Sequence, residues 1–256
     1  MLKDCVPQEK YREECQVCRR AKKHCLCKYI KPFNNAFHFV ILMSVAEAKY
    51  QRTGSGRLAH LTLRNSEIIV GNDFTEDRRV NEIINDEKTD KLILYPGKNA
   101  VTFAQLEADR AGDKCGTAIS YPEKPLYVFV IDGTWRGAKS MMFHSENLKK
   151  IPCISFEHSY LSNFRIKRQP EEHCVSTIEA IYYLLKEAEE HGFLPPGNEK
   201  EALPDIFNRM VEIQLEYSRQ HRHRREDNPK VREKLLKKEA LRRQKLLETA
   251  KQAGSR

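Results

Sequence analysis

No stretch of this 256-residue chain approaches the roughly 18 consecutive apolar residues that a membrane-spanning helix needs. The opening segment, MLKDCVPQEKYREEC, lacks the apolar core of a secretory signal. No internal repeat is evident, and tryptophan occurs once, as Trp135. These absences predict an intracellular protein, cytoplasmic or, in a eukaryotic cell, nuclear, with no membrane partner. In such a compartment the eight cysteines are not expected to form disulfides and need another account.

Acidic residues are scarce at both ends. Residues 1–31 hold nine Lys/Arg against four Asp/Glu, and residues 219–256 hold fourteen against five. The stretch between them is mildly acidic, with 22 basic and 27 acidic groups. Two basic ends around an acidic middle point to a polyanionic partner, most simply nucleic acid; a solvated basic helix would also explain the tail. The length suffices for one substantial core with appended modules. We divide it into a basic knuckle (1–31), a central α/β domain (32–200) and a basic helical extension (201–256). In the extension, Ile206, Met210, Ile213 and Tyr217 form an apolar stripe that fades beyond Arg219.

Four of the cysteines cluster. Cys15, Cys18, Cys25 and Cys27 form C-x2-C-x6-C-x-C. Two close pairs of thiolates can converge on one tetrahedral zinc, with His24 as a substitute ligand; a redox pair or inert thiols are the alternative. A segment this short builds no core of its own without a metal. Arg19, Arg20, Lys22 and Lys23 surround it and suit phosphate contact.

The middle reads as alternating strands and helices. FHFVILM (37–43), EIIV (67–70), KLILY (91–95), LYVFVI (126–131) and IPCISF (151–156) are candidate strands. Continuous apolar runs of this kind suit a parallel sheet buried on both faces. Leu58, Leu61 and Leu63 suggest a short helix after Gly54-Ser55-Gly56, and Val101, Ala104 and Ala108 suggest another. Residues 72–90 look like a polar connection. Ser176-Thr177-Ile178-Glu179 is a capping box, and the helix it starts stops at His191-Gly192.

One junction stands out. The strand LYVFVI runs into Asp132-Gly133-Thr134-Trp135, after which Trp135, Ala138, Met141 and Met142 fall on one helical face. In α/β sheets, ligands bind where the carboxyl ends of strands meet helix N-termini. Asp132 or Thr134 as a mere helix cap, and Trp135 as a core residue, are the plainer readings. Pro96-Gly97-Lys98 ends the preceding strand in a sharp turn. The loop from Leu161 to Pro170 carries Phe164, Arg165 and Arg168 among hydroxyl and amide groups, which suits a purine and an anionic group or an exposed hairpin.

Taken together, these elements resemble the DTW-domain family. The four-cysteine knuckle, the Gly54–Ala59 segment, Leu94-Tyr95-Pro96-Gly97, Asp132-Gly133-Thr134-Trp135, and Arg168-Gln169-Pro170 followed by Ser176-Thr177-Ile178-Glu179-Ala180 occur in the family's order. The resemblance spans about residues 12–192. It implies a SPOUT-like, mainly parallel α/β fold with a C-terminal trefoil knot. The implied activity is that of a tRNA-uridine aminocarboxypropyltransferase, which uses S-adenosylmethionine (SAM) to place a 3-amino-3-carboxypropyl group on N3 of uridine. The resemblance leaves room for a monomer, and it makes any zinc structural.

On this resemblance Asp132 and Trp135 are the catalytic candidates. Asp132 either takes the uridine proton or holds the SAM amino group; Trp135 either stacks on the base or walls the pocket. The candidate SAM contacts are Leu94, Tyr95, Pro96, Gly97, Asp132, Gly133, Thr134, Leu161, Ser162, Phe164, Arg165, Arg168, Ser176, Thr177 and Glu179. The candidate RNA contacts are Arg19, Arg20, Lys22, Lys23, Arg57, Arg222, Arg224 and Arg225. A SPOUT-type RNA methyltransferase and a non-catalytic zinc-ribbon RNA-binding protein are the competing expectations.

Overall fold

The structure is a computed structural model describing residues 13–51, 53–97, 99–111, 119–166 and 174–226, with only the backbone at 111 and 221–226. The chain divides into two compact units, 1–210 and 211–256. The first contains a five-stranded, wholly parallel sheet. Its strands are β1 (His38–Met43), β2 (Ser66–Val70), β3 (Asp90–Leu94), β4 (Leu126–Asp132) and β5 (Cys153–Ile154), in the order β2-β1-β4-β3-β5.

β1 and β4 are central, and their sequences explain why. Phe39, Val40, Ile41, Leu42 and Met43 are all buried, so β1 has no face for water. Each such side chain contributes about 1.5–3 kcal/mol on burial. On one face Val40, Leu42, Ile93 and Phe129 pack with Val80 and Ile83 of α3 (Arg78–Ile84) and Met141 of α5 (Trp135–His144). Opposite them run α2 (Ser55–Thr62) and α6 (Thr177–Glu190), which pack on each other. Along β4 the side chains alternate, Leu126, Val128, Val130 and Asp132 all being buried. Asp132 thereby leans towards α2 and α6.

All five candidate strands form, the last much shortened. β5 is only two residues long; Pro152, just before it, has no N–H for a ladder and takes part through its carbonyl, which accepts from Ile93. α3 occupies the supposed connection at 72–90. Asp77 caps it, and its two buried residues, Val80 and Ile83, are too few among charged neighbours to show a stripe. A further helix, α1 (Val45–Tyr50), follows β1 directly. The stripe beginning at Val101 is shifted: Val101 bridges to Ile154, and α4 (Phe103–Ala111) buries Phe103 and Leu106 instead.

α6 starts and stops where its sequence says. Ser176 and Glu179 form the reciprocal capping box, and Gly192 takes the left-handed conformation, φ 68°, just past the end. α7 (Ala202–Glu226) continues across the boundary at Met210 into the second unit, which is helical as far as it is described. No described helix is long and apolar enough to cross a membrane.

Candidate active site and cysteine centre

A cavity of about 530 Å³ opens at the carboxyl ends of β3 and β4. It is bordered by the first turns of α1, α2, α5 and α6, a place where ligands commonly bind in open α/β sheets. Tyr95, Trp135, Phe156 and Phe164 give it aromatic walls. Two carboxylates, Asp132 and Glu47, reach it, and no Lys, Arg or His stands among its described lining residues. Its chemistry therefore favours a ligand with a flat ring and a positive charge.

Asp132 is only 4% exposed. Its Oδ1 accepts a hydrogen bond from the Thr177 hydroxyl at 2.6 Å, and its backbone carbonyl accepts from the Ser44 N–H at 2.9 Å. Gly56 of α2 lies directly against the carboxyl group: a methyl there would stand 2.5 Å from it. The glycine-rich start of α2 is thus the socket of the protein's own carboxylate. Capping of α5 falls to Thr134, whose hydroxyl accepts from Gly137 N–H at 3.1 Å. Trp135 is 43% exposed and borders the cavity, so the core-tryptophan reading fails.

The cavity gathers ten of the sequence candidates: Leu94, Tyr95, Pro96, Asp132, Gly133, Thr134, Trp135, Phe164, Ser176 and Thr177. Gly97, Leu161, Ser162, Arg165 and Glu179 are not in its lining, and Arg168 lies outside the described residues. Glu179 works behind the wall. It accepts from Ser176 and from the Ser162 hydroxyl and the Asn163 N–H, at 2.8 and 2.6 Å, so it clamps the loop that delivers Phe164. Two turns on, the fully buried Glu187 accepts from Glu157 N–H, His158 N–H and the Tyr160 hydroxyl. Burial, together with Glu187, pushes the Tyr160 phenol up, and its ring stacks on Tyr183 at 3.8 Å. Sequence reasoning missed Glu47, Ser155 and Phe156. A polar residue in an otherwise apolar strand-to-helix turn was the signal available for Glu47.

The cysteines form a second centre. The Sγ atoms of Cys15, Cys18, Cys25 and Cys27 all lie within 4.8 Å of one another. Cys15 and Cys27 are 3.6 Å apart, and Cys18 and Cys25 3.8 Å. Four sulfurs at about 2.3 Å from a tetrahedral zinc stand about 3.8 Å apart, so the donor set fits that ion. Arg19, at φ 59°, closes the tight turn just after the first pair, with Arg19 N–H donating to Cys15 O at 2.8 Å. The backbone N–H groups of Cys18 and Val17, turned to the Cys15 sulfur, lower that thiol to about 6. Burial raises Cys27. His24 is outside the cluster.

Of the basic residues read as RNA contacts, Arg19, Lys22 and Lys23 are exposed and Arg57 is half-buried. Arg20 is not a surface residue: it is 3% exposed, and its charge faces the thiols of Cys18 and Cys25. Only the backbone of Arg222, Arg224 and Arg225 is described, within α7.

The family profile described as DTW domain matches residues 12–215, most of the chain. The chain belongs to the DTW-domain family. This DTW protein is 27% identical over 220 residues to tRNA-uridine aminocarboxypropyltransferase 2 of Macaca fascicularis, covering 85% of this chain and 68% of that one. The Mus musculus protein of the same name is 28% identical with the same coverage, and the Drosophila melanogaster one is 26% identical over 68% of this chain and 66% of its own. No solved structure matches. By this kinship the DTW protein is a transferase enzyme.

Proposed function

We propose that this DTW protein transfers the 3-amino-3-carboxypropyl group of SAM to N3 of a uridine in tRNA, releasing 5′-methylthioadenosine. The observation that carries this reading is the cavity itself: aromatic walls and two buried carboxylates at the strand ends, with no basic group among its described lining residues. A sulfonium attached to an adenosine answers that chemistry. Adenine lies against Tyr95, Pro96 and Phe164, with the positive sulfur towards the carboxylates.

Asp132 takes the proton from uridine N3. A bond then forms between N3 and the γ-carbon of the donor's side chain, and the bond from that carbon to sulfur breaks. The electron pair stays on sulfur, which becomes a neutral thioether. Holding the γ-carbon in line and the methyl group away from the nucleophile decides the outcome, and such positioning supplies much of the rate. Trp135, exposed at the cavity border, stacks on the uracil. Arg168 takes the donor's carboxylate, Arg165 standing outside the cavity lining. The segments after β3, β4 and β5 border one cavity, as the three loops of a SPOUT-type knot do, and that knot is part of the proposal.

Cys15, Cys18, Cys25 and Cys27 hold a zinc ion that cross-links the knuckle. Arg19, Lys22 and Lys23 on the knuckle, Arg57, and the tail from Arg222 grip tRNA phosphates. We keep 1–31, 32–200 and 201–256 as the functional modules of a cytoplasmic monomer. Incubation with SAM and tRNA, followed by nucleoside mass spectrometry, tests the reading. An aminocarboxypropyl gain with methylthioadenosine as co-product is expected. A methyl gain with S-adenosylhomocysteine makes it a methyltransferase, and absence of SAM binding leaves only RNA binding.

A further inference from the structure

Sequence reasoning singled out one carboxylate of the cavity, and the structure supplies a second. Glu47 is 7% exposed and sits in the first turn of α1. Its backbone N–H donates to the Ser44 hydroxyl at 3.2 Å, and the Ser44 N–H donates to Asp132 O at 2.9 Å. The start of α1 therefore hangs directly on the end of β4, where Met43 and Asp132 are register partners. Asp132 also shapes α2: a methyl group on Gly56 would strike it.

Glu47 and Asp132 are two buried carboxyl groups bordering one largely apolar cavity, so a ligand's positive group placed there meets carboxyl oxygens. SAM carries two positive centres of different kinds. The sulfonium has no N–H and makes no hydrogen bond, whereas the α-ammonium group has three donors, the stronger partner for a buried carboxylate. Asp132 is clamped by Thr177 and lies three residues from Trp135, beside the proposed place of the uracil.

We propose that Glu47 binds the α-ammonium group of the donor's aminocarboxypropyl arm, leaving Asp132 for the N3 proton. The inference rests on the SAM reading above. Glu47 then determines which carbon is transferred, because it tethers the arm while the methyl group is held by nothing polar.

Calorimetry with SAM and with its analogue lacking the α-amino group provides the test, on wild type, Glu47→Gln and Glu47→Asp, with melting curves to check folding. Wild type should prefer SAM by at least about tenfold, in line with a charge-assisted hydrogen bond. Glu47→Gln should weaken SAM by a similar factor and bind both compounds alike; Glu47→Asp should keep part of the preference. Equal wild-type affinity for the two compounds overturns the proposal without any variant, and so does a Glu47→Gln protein that retains wild-type preference. Should wild type bind neither compound, the SAM reading itself fails, which is a separate result.

Discussion

The cysteine centre and the carboxylate cavity are built in opposite ways. The first draws all four sulfurs from thirteen consecutive residues, and its geometry is local: a C-x2-C turn closed by Arg19 just after it and a returning C-x-C. The second draws its groups from Glu47 to Ala180 and exists only because parallel strands bring distant turns side by side. A local centre depends on its ligands and little else. A dispersed one depends on the residues behind it, such as Ser44, Gly56, Thr177 and Glu179. If that contrast is right, the two regions should fail separately.

The largest effect is expected at Asp132. Asp132→Asn should lower transfer by about 10²–10⁴-fold, the usual range for a general base, while SAM affinity in calorimetry stays near wild type. Loss of SAM binding instead would reassign Asp132 to the donor. Next, chelator treatment, or replacing Cys25 by Ser, should weaken tRNA binding by about tenfold or more at low salt, because the proposed zinc cross-link of the knuckle is lost. SAM affinity should not change; a parallel loss of SAM binding would break the comparison.

Gly56→Ala probes the dispersed centre from behind. Its methyl needs the space of the Asp132 carboxyl, so transfer should fall by about tenfold or more with the cysteine centre intact, as zinc content would report. Thr177→Val removes one hydrogen bond to Asp132, an effect of about 1–2 kcal/mol at most, read as a modest fall in kcat.

The smallest effect concerns His191. Burial lowers its basicity, but hydrogen bonds to Glu107 and Glu157, both at 2.8 Å, outweigh that and raise its pKa above 6.5. The folded state therefore favours the protonated ring. Its stabilisation is fully present below about pH 6.5 and is lost as pH rises through the raised folded value. His191→Gln should remove that part of the pH dependence of Tm that sets in above about pH 6.5 and leave transfer unchanged.

The same contrast explains what was legible. Five strands, the α6 capping box and the knuckle are encoded in short windows, and local spacing revealed them. α3 was hidden because only two of its residues are buried. Glu47, Glu179 and Glu187 carry roles that depend on what lies across the fold, and a glutamate on a helix looks the same whether it faces water or a loop. Glu179 shows this best: its place at the third position of a capping box was readable, and its clamp on Ser162 and Asn163 was not.

Trp135 has a practical use. It is the chain's sole indole, and it stands half-open at the border of the cavity rather than in the core. Its emission is therefore a site-specific optical signal that needs no label. A nucleobase stacking on the ring should quench it, and a ligand that dries the cavity should shift its colour to the blue. Titrations of donor and of RNA can then be followed in the unmodified protein, one by a shift in wavelength and the other by loss of intensity, with unfolding giving a third signature.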